Sequence, residues 1–134
     1  MTYPIDEIDG LSERLSASLH RAGVKTTRDL LDRGAKAESR PALARILGVA
    51  EAELERAVQM ADLLRIKGVA RRFAPLVHAA GARSVSAVAA QQAGRLYTAI
   101  VAAKSRVAGA SRLPTQEDVA RWIEDAAILQ PIVT

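Results

Sequence analysis

Two stretches of the chain, IDGLSERLSASLHRAG at residues 8–23 and IKGVARRFAPLVHAAG at residues 66–81, follow the same pattern 58 residues apart. Each begins with an apolar–polar–Gly–apolar turn, continues with apolar residues at helical spacing and ends at a glycine. A repeated pattern of this kind is typical of a duplicated structural unit. We therefore predict two equivalent turn-and-helix units, whose buried positions are Leu15, Leu19, Phe73 and Val77.

The repeat extends beyond these two stretches. Thr26 corresponds to Ser84 at the same offset, and Leu54 corresponds to Val119 at an offset of 65, after an insertion near residues 91–104. Apolar residues recur at helical spacing along the chain, and runs of β-branched residues are short. We predict an all-α protein of about eight helices. They would form two four-helix units like tandem helical hairpins, residues 1–65 and 66–134, packed as one compact domain.

Capping residues, prolines and glycines set the expected helix boundaries. Thr26 with Asp29, and Thr115 with Asp118, have the spacing of capping boxes, and Gly34 is expected to close the second helix. The helices with the clearest boundaries are predicted at residues 11–22, 27–33, 41–47, 51–65 and 115–129. In the last of these helices, Trp122 lies on an apolar stripe and is expected to be buried.

The composition excludes several classes of functional site. The 134 residues contain no cysteine and two histidines, which excludes disulfides, thiolate zinc sites and cysteine nucleophiles. His20 and His78 occupy equivalent positions near predicted helix C-termini, so we interpret them as packing or capping residues. Aromatic residues make up only 3%, too few for a surface that stacks on single-stranded nucleic acid. Because neither a signal peptide nor a membrane span is evident, we expect a cytoplasmic protein with no membrane contact. We also expect no cofactor.

The two predicted halves differ strongly in charge. Residues 1–65 carry ten basic and eleven acidic side chains, whereas residues 66–134 carry nine basic and four acidic ones. No acidic residue occurs between Asp62 and Glu117. A basic segment without acids raises the local potential and suits a polyanion such as DNA. An ordinary solvated surface, in a chain rich in arginine and alanine, is the alternative.

Three turns, at residues 8–12, 47–50 and 66–70, resemble the helix-hairpin-helix motif. In that motif a Gly–apolar–Gly turn joins two helices, and the second helix directs its first N–H groups at a DNA phosphate. Here Ser12, Ala50 and Ala70 replace the second glycine, which brings a Cβ close to the place of the phosphate. The first turn is also flanked by acidic residues that would repel DNA, namely Asp6, Glu7, Asp9 and Glu13. The resemblance therefore points to the third turn, and its expected DNA-binding residues are Lys67, Gly68, Val69, Ala70, Arg71 and Arg72.

The segment LSERLSASLHRAGVKTTRDLLDR, residues 11–33, resembles the C-terminal domain of the RNA polymerase α subunit. In that family an arginine early in the first helix enters the DNA minor groove. The resemblance places this arginine at Arg14, and at Arg72 in the second unit. The asparagine that assists it in the family is replaced by Ala17 and Pro75.

The whole chain resembles a bacterial family of small proteins known as a domain of unknown function, with two helix-hairpin-helix-like units. The residues that carry this resemblance are Tyr3–Ile5, Glu7–Ile8, Ala22–Gly23, Thr26–Thr27, Met60–Leu63, Arg65–Val69 and Trp122–Ile123. The resemblance implies a fold and no particular activity.

Three function classes follow, and the sequence favours the first. The first is a non-enzymatic protein that binds double-stranded DNA with low sequence specificity through the second unit, with Arg14 as a further contact. The second is a protein–protein interaction adaptor that has lost DNA binding. The third is a nuclease-like or glycosylase-like enzyme. It is the weakest because the chain has no glycine-rich phosphate loop and no acidic residue between Gly68 and Glu117 to act as the catalytic carboxylate.

Overall fold

The computed structural model of the protein describes residues 2–110 and 112–134. These residues form eight α-helices and no β-sheet, which confirms the predicted all-α fold and its number of helices. The helices are α1 (Glu13–Arg21), α2 (Thr27–Gly34), α3 (Arg40–Leu47), α4 (Glu51–Leu63), α5 (Ala70–Ala79), α6 (Val85–Ala89), α7 (Ala93–Ala103) and α8 (Gln116–Ala127). None of these helices is long and apolar enough to cross a membrane.

Local sequence signals account for most of the helix ends. Both predicted capping boxes are present, Thr26 with Asp29 at the start of α2 and Thr115 with Asp118 at the start of α8. Helix α1 begins two residues later than expected because the Ser12 side chain accepts the Leu15 N–H and caps the helix. Helix α4 ends at Leu63, where the chain turns toward α5, and so is shorter than the predicted 51–65.

Gly34 ends α2 as predicted, but not by adopting a left-handed turn. It is the last residue of α2, and its φ lies outside the left-handed region. A Cβ at Gly34 would lie 2.9 Å from Cγ2 of Val58 on α4. Because the β-branched Val58 side chain has little freedom to move away, the glycine is required for α2 and α4 to pack closely.

Helix α4 lies at the centre of the first half and joins it to the second. It packs against α2, α3 and α5, and one continuous apolar core includes residues of both predicted halves. In the second half, α8 packs against α6 and α7. The pairs α2–α4 and α6–α8 are related by the predicted repeat, although the duplication itself stays a prediction.

The predicted buried stripe is correct at three positions and wrong at the fourth. Leu15, Leu19 and Val77 are buried, but Phe73 is only partly buried. The first turn of α5 lies at the edge of an open cleft, so Phe73 contacts the core on one side only. Its ring packs against Trp122, with 5.4 Å between the ring centroids, and Trp122 is the buried member of the pair.

One buried carboxylate joins the two halves. Asp62 on α4 is 1% exposed, and its two oxygens accept from Arg65 Nη1 at 2.8 Å and from the Val85 N–H at 2.8 Å. Val85 is the first residue of α6, so its N–H has no acceptor within the helix. Asp62 therefore provides the hydrogen-bond acceptor for a buried N–H group at the start of α6.

Candidate nucleic-acid interface

The predicted DNA-binding turn joins α4 to α5. Ile66 and Val69 are buried, so Val69 can offer a ligand only its backbone. Gly68 has a φ of +88°, and a Cβ there would lie 3.1 Å from the indole Nε1 of Trp122. The position therefore needs glycine both for its backbone conformation and for the approach of Trp122.

Ala70 has a left-handed backbone at the first position of α5. Its φ of +50° makes it the only non-glycine residue in the described part of the chain with a positive φ. An alanine in this conformation is disfavoured by about 1–2 kcal/mol. This is the position of the second glycine in the helix-hairpin-helix pattern, so the backbone keeps a conformation that suits glycine although the side chain is a methyl group.

The start of α5 is open. Val69 gives no side-chain cap, and the first turn contains no acidic residue. Among the described residues, no acceptor bonds to the N–H groups of Ala70, Arg71 and Arg72. A helix start with free N–H groups carries a partial positive charge and attracts anions.

An open cleft of about 680 Å³ lies in front of this helix start. Three arginines line it, Arg71 and Arg72 from α5 and Arg112 from the segment between α7 and α8. The remaining lining residues are Asp9, Gly68, Ala70, Phe73, Gly109 and Ala110. The sequence signal for Arg112 was its place in the acid-free segment, but only the path of the chain after α7 brings it to the turn.

Three of the predicted residues do not line this cleft: Val69, which is buried, Lys67 and Arg14. Lys67 is exposed and lines a neighbouring cleft that also contains Asp118 and Asp125. Arg14 is exposed on α1, and one of its guanidinium nitrogens lies 4.0 Å from where a Cβ on Gly48 would be. The structure therefore brings together Gly68, Ala70, Arg71 and Arg72, but not Arg14.

Acidic residues of the first turn lie against Arg71, which the sequence did not indicate. Arg71 Nε lies 3.4 Å from an Asp9 carboxylate oxygen, and Arg71 Nη1 lies 3.9 Å from Glu7 Oε2. All three side chains are partly exposed, and ion pairs open to solvent contribute about 0–1 kcal/mol. A phosphate can therefore compete with these carboxylates for Arg71.

The start of α1, in contrast, is capped by the protein's own side chains. The Ser12 hydroxyl accepts the Leu15 N–H and donates to the Glu53 carboxylate. Arg56 Nη1 donates to the Asp9 carbonyl at 2.9 Å, and its guanidinium covers Gly10. The side chains of the protein itself thus occupy the start of α1.

The sequence pattern of one protein family, described as a domain of unknown function (DUF4332), matches residues 9–129. This match spans most of the chain, and the chain belongs to this family. No curated protein and no solved structure matches the chain.

Proposed function

We propose that this member of the DUF4332 family is a non-enzymatic protein that binds the phosphate backbone of double-stranded DNA with low sequence specificity. The observation that carries the proposal is the open cleft at the uncapped start of α5, which is lined by Arg71, Arg72 and Arg112. Cationic side chains and helix N–H groups are the usual partners of DNA phosphates.

The conformation of the turn supports its interpretation as a helix-hairpin-helix motif. Gly68 is left-handed, Val69 is buried as the apolar residue of the motif, and the following helix opens onto the cleft. The resemblance to the RNA polymerase α-subunit domain places a DNA-contacting arginine at Arg72, which lines the cleft.

Low sequence specificity follows from the kind of groups in the cleft. Guanidinium groups and backbone N–H groups that contact phosphates position a duplex but do not distinguish its bases. The one aromatic side chain of the cleft, Phe73, is engaged with Trp122. We therefore expect affinity to depend on salt much more than on DNA sequence.

Replacing Arg71 and Arg72 together with alanine should weaken duplex binding by a similar factor for all sequences. Loss of two phosphate contacts should also reduce the log–log dependence of affinity on salt by about one to two units. Fluorescence anisotropy of labelled duplexes at several salt concentrations measures both effects. The matched control replaces Arg45 and Arg95, two exposed arginines without an ion-pair partner among the described residues.

The control pair removes the same charge from elsewhere on the surface, so its salt dependence should stay close to that of the unmodified protein. Arg14→Ala should likewise have the smaller effect. Equal losses in the control pair and in the Arg71/Arg72 variant would contradict a specific role for the cleft.

Replacing Ala70 with glycine should stabilise the protein and strengthen duplex binding. Glycine adopts a φ of +50° without the steric penalty of alanine, so we expect the free energy of unfolding to rise by roughly 1 kcal/mol. Removal of the methyl group also lets a phosphate approach the N–H groups more closely. Urea unfolding and anisotropy titrations measure the two effects.

Ala93→Gly, at the first position of α7, is the matched control. Ala93 has no positive φ, so glycine there should cost about 0.5–1 kcal/mol. A loss of stability in Ala70→Gly as large as that in Ala93→Gly would show that the backbone at Ala70 is not strained.

A protein-interaction adaptor is the second candidate function. Two observations favour it: Asp9 and Glu7 already lie beside Arg71, and the Ala70 methyl group lies at the position of the motif's second glycine. Under this alternative the cleft recognises carboxylates of a protein partner in the way it holds Asp9. The unmodified protein would then fail to bind duplex DNA even at low salt.

A further inference from the structure

We infer that a second cleft, lined by Arg56, His78 and Arg106, is a binding site for a phosphate group. This cleft of about 480 Å³ lies between the Gly10 turn, the end of α5 and the chain that follows Arg106. It is distinct from the cleft at the start of α5, although Asp9 lines both.

The cleft has more positive than negative charge. Arg56 and Arg106 donate to main-chain carbonyl oxygens, and neither has a carboxylate partner among the described residues. Asp9 is the only acidic residue that lines the cleft, and its carboxylate lies beside Arg71. Two arginines thus line the cleft without a carboxylate partner among the described residues.

His78 is a half-buried ring at the wall of this cleft. Its Nε2 lies 2.8 Å from Gln59 Oε1, so the Nε2–H tautomer of the neutral ring donates to the amide oxygen. Burial of the ring, and then the charges of Arg56 and Arg83, lower the pKa of His78 to about 4. An anion in the cleft would offset the charge of Arg56 and act in the opposite direction on this pKa.

The two clefts lie along the same helix. Arg72 and His78 are six residues apart on α5, which corresponds to about 9 Å along the helix axis. A DNA strand held at the start of α5 can therefore place a second phosphate in this cleft. A free phosphorylated molecule can also bind there. The inference rests on the proposed function only where the phosphate belongs to DNA, because the charge and shape of the cleft do not depend on DNA binding.

The two histidines allow phosphate binding to be tested by NMR, with His78 as the probe and His20 as the control. Inorganic phosphate is added at constant ionic strength, with chloride as the replaced anion, while the ring protons of His78 and His20 are followed by NMR. His20 is the internal control, because it lies on α1 and contacts Asp6 at 3.4 Å. We expect a saturable shift of the His78 signals and no matching shift of the His20 signals.

Two variants test the role of the cleft. Arg106→Gln should raise the phosphate concentration that gives half of the saturable His78 shift about tenfold, because a charge-assisted contact to phosphate is lost. Arg95→Gln makes the same charge change on an exposed arginine of α7 that does not line the cleft, and should leave the shift unchanged. Two results would contradict this binding site. One is a parallel, non-saturating shift of both histidines, and the other is the same half-saturating phosphate concentration in Arg106→Gln and in the unmodified protein.

A short duplex added in place of inorganic phosphate separates this inference from the proposed function. If inorganic phosphate shifts His78 but the duplex does not bind, the site stands as one for a small phosphorylated molecule and the proposed function fails. If the duplex binds and neither probe shifts His78, this site is wrong and the proposed function stands. A His78 shift with both probes supports a phosphate path that continues along α5.

Discussion

Replacing Asp62 with alanine should lower the free energy of unfolding by about 2–4 kcal/mol, because a buried N–H group and a partly buried guanidinium lose the same carboxylate. Two groups lose their acceptor. The Arg65 guanidinium loses its carboxylate, and the buried N–H of Val85 is left without an acceptor at the start of α6. Urea unfolding followed by circular dichroism measures the loss.

Two further substitutions separate these contributions. Asp62→Asn keeps an oxygen for the Val85 N–H but removes the charge beside Arg65, so it should cost less than Asp62→Ala. Asp32→Ala removes an exposed carboxylate that makes no hydrogen bond or ion pair among the described residues, and should change stability by less than about 0.5 kcal/mol. A loss in Asp62→Ala no larger than in Asp32→Ala would mean that the bridge between α4 and α6 contributes nothing.

Replacing Trp122 with alanine should cost about 3–5 kcal/mol, as expected for a large side chain removed from a core. Trp122 is 3% exposed, packs against Phe73 and fills the space in front of Gly68. Loss of the indole therefore leaves a cavity and also removes the support behind the α4–α5 turn. Because the substitution removes the single tryptophan, unfolding must be followed by circular dichroism.

Phe73→Ala is the informative comparison for Trp122→Ala. Phe73 is only partly buried, so its removal should cost less than half as much. Trp122→Phe, which keeps an aromatic ring in the core, should also cost less than Trp122→Ala. A loss in Phe73→Ala equal to that in Trp122→Ala would restore the sequence-based view of Phe73 as a fully buried residue.

The sequence predicted the helices well because their signals are local. The capping boxes at Thr26 and Thr115 act within three residues of their own helices, and both are present. Gly23 and Gly81 have φ values of +82° and +100°, as expected of residues that stop a helix. Such features depend on the backbone nearby and need no knowledge of the tertiary fold.

Features that depend on packing between distant segments were missed. The role of Gly34 is set by Val58, and the partial exposure of Phe73 is set by an open cleft at its helix. Helical spacing identifies the inward face of a helix, but not whether another element covers each turn of that face. Arg112 entered the candidate site for the same reason, because the chain after α7 returns to the start of α5.

The electrostatics of the site were predicted in part. The sequence indicated that the first turn is acidic and the third basic, but not that Asp9 and Glu7 lie against Arg71. It also gave no sign that Ser12 closes the start of α1 while the start of α5 stays open. This difference between the two helix starts supports the proposal that DNA binds at the second unit.

The most direct test of the account is to map the duplex on the protein by NMR. Amide signals of the isotope-labelled protein are followed while a short DNA duplex is added at low salt. We predict saturable shifts that are largest for the amides of Gly68, Ala70, Arg71, Arg72 and Arg112, with little change at Ser12 and Glu13. No saturable shift at low salt, or shifts centred on the start of α1, would contradict the claim that the start of α5 binds a DNA phosphate.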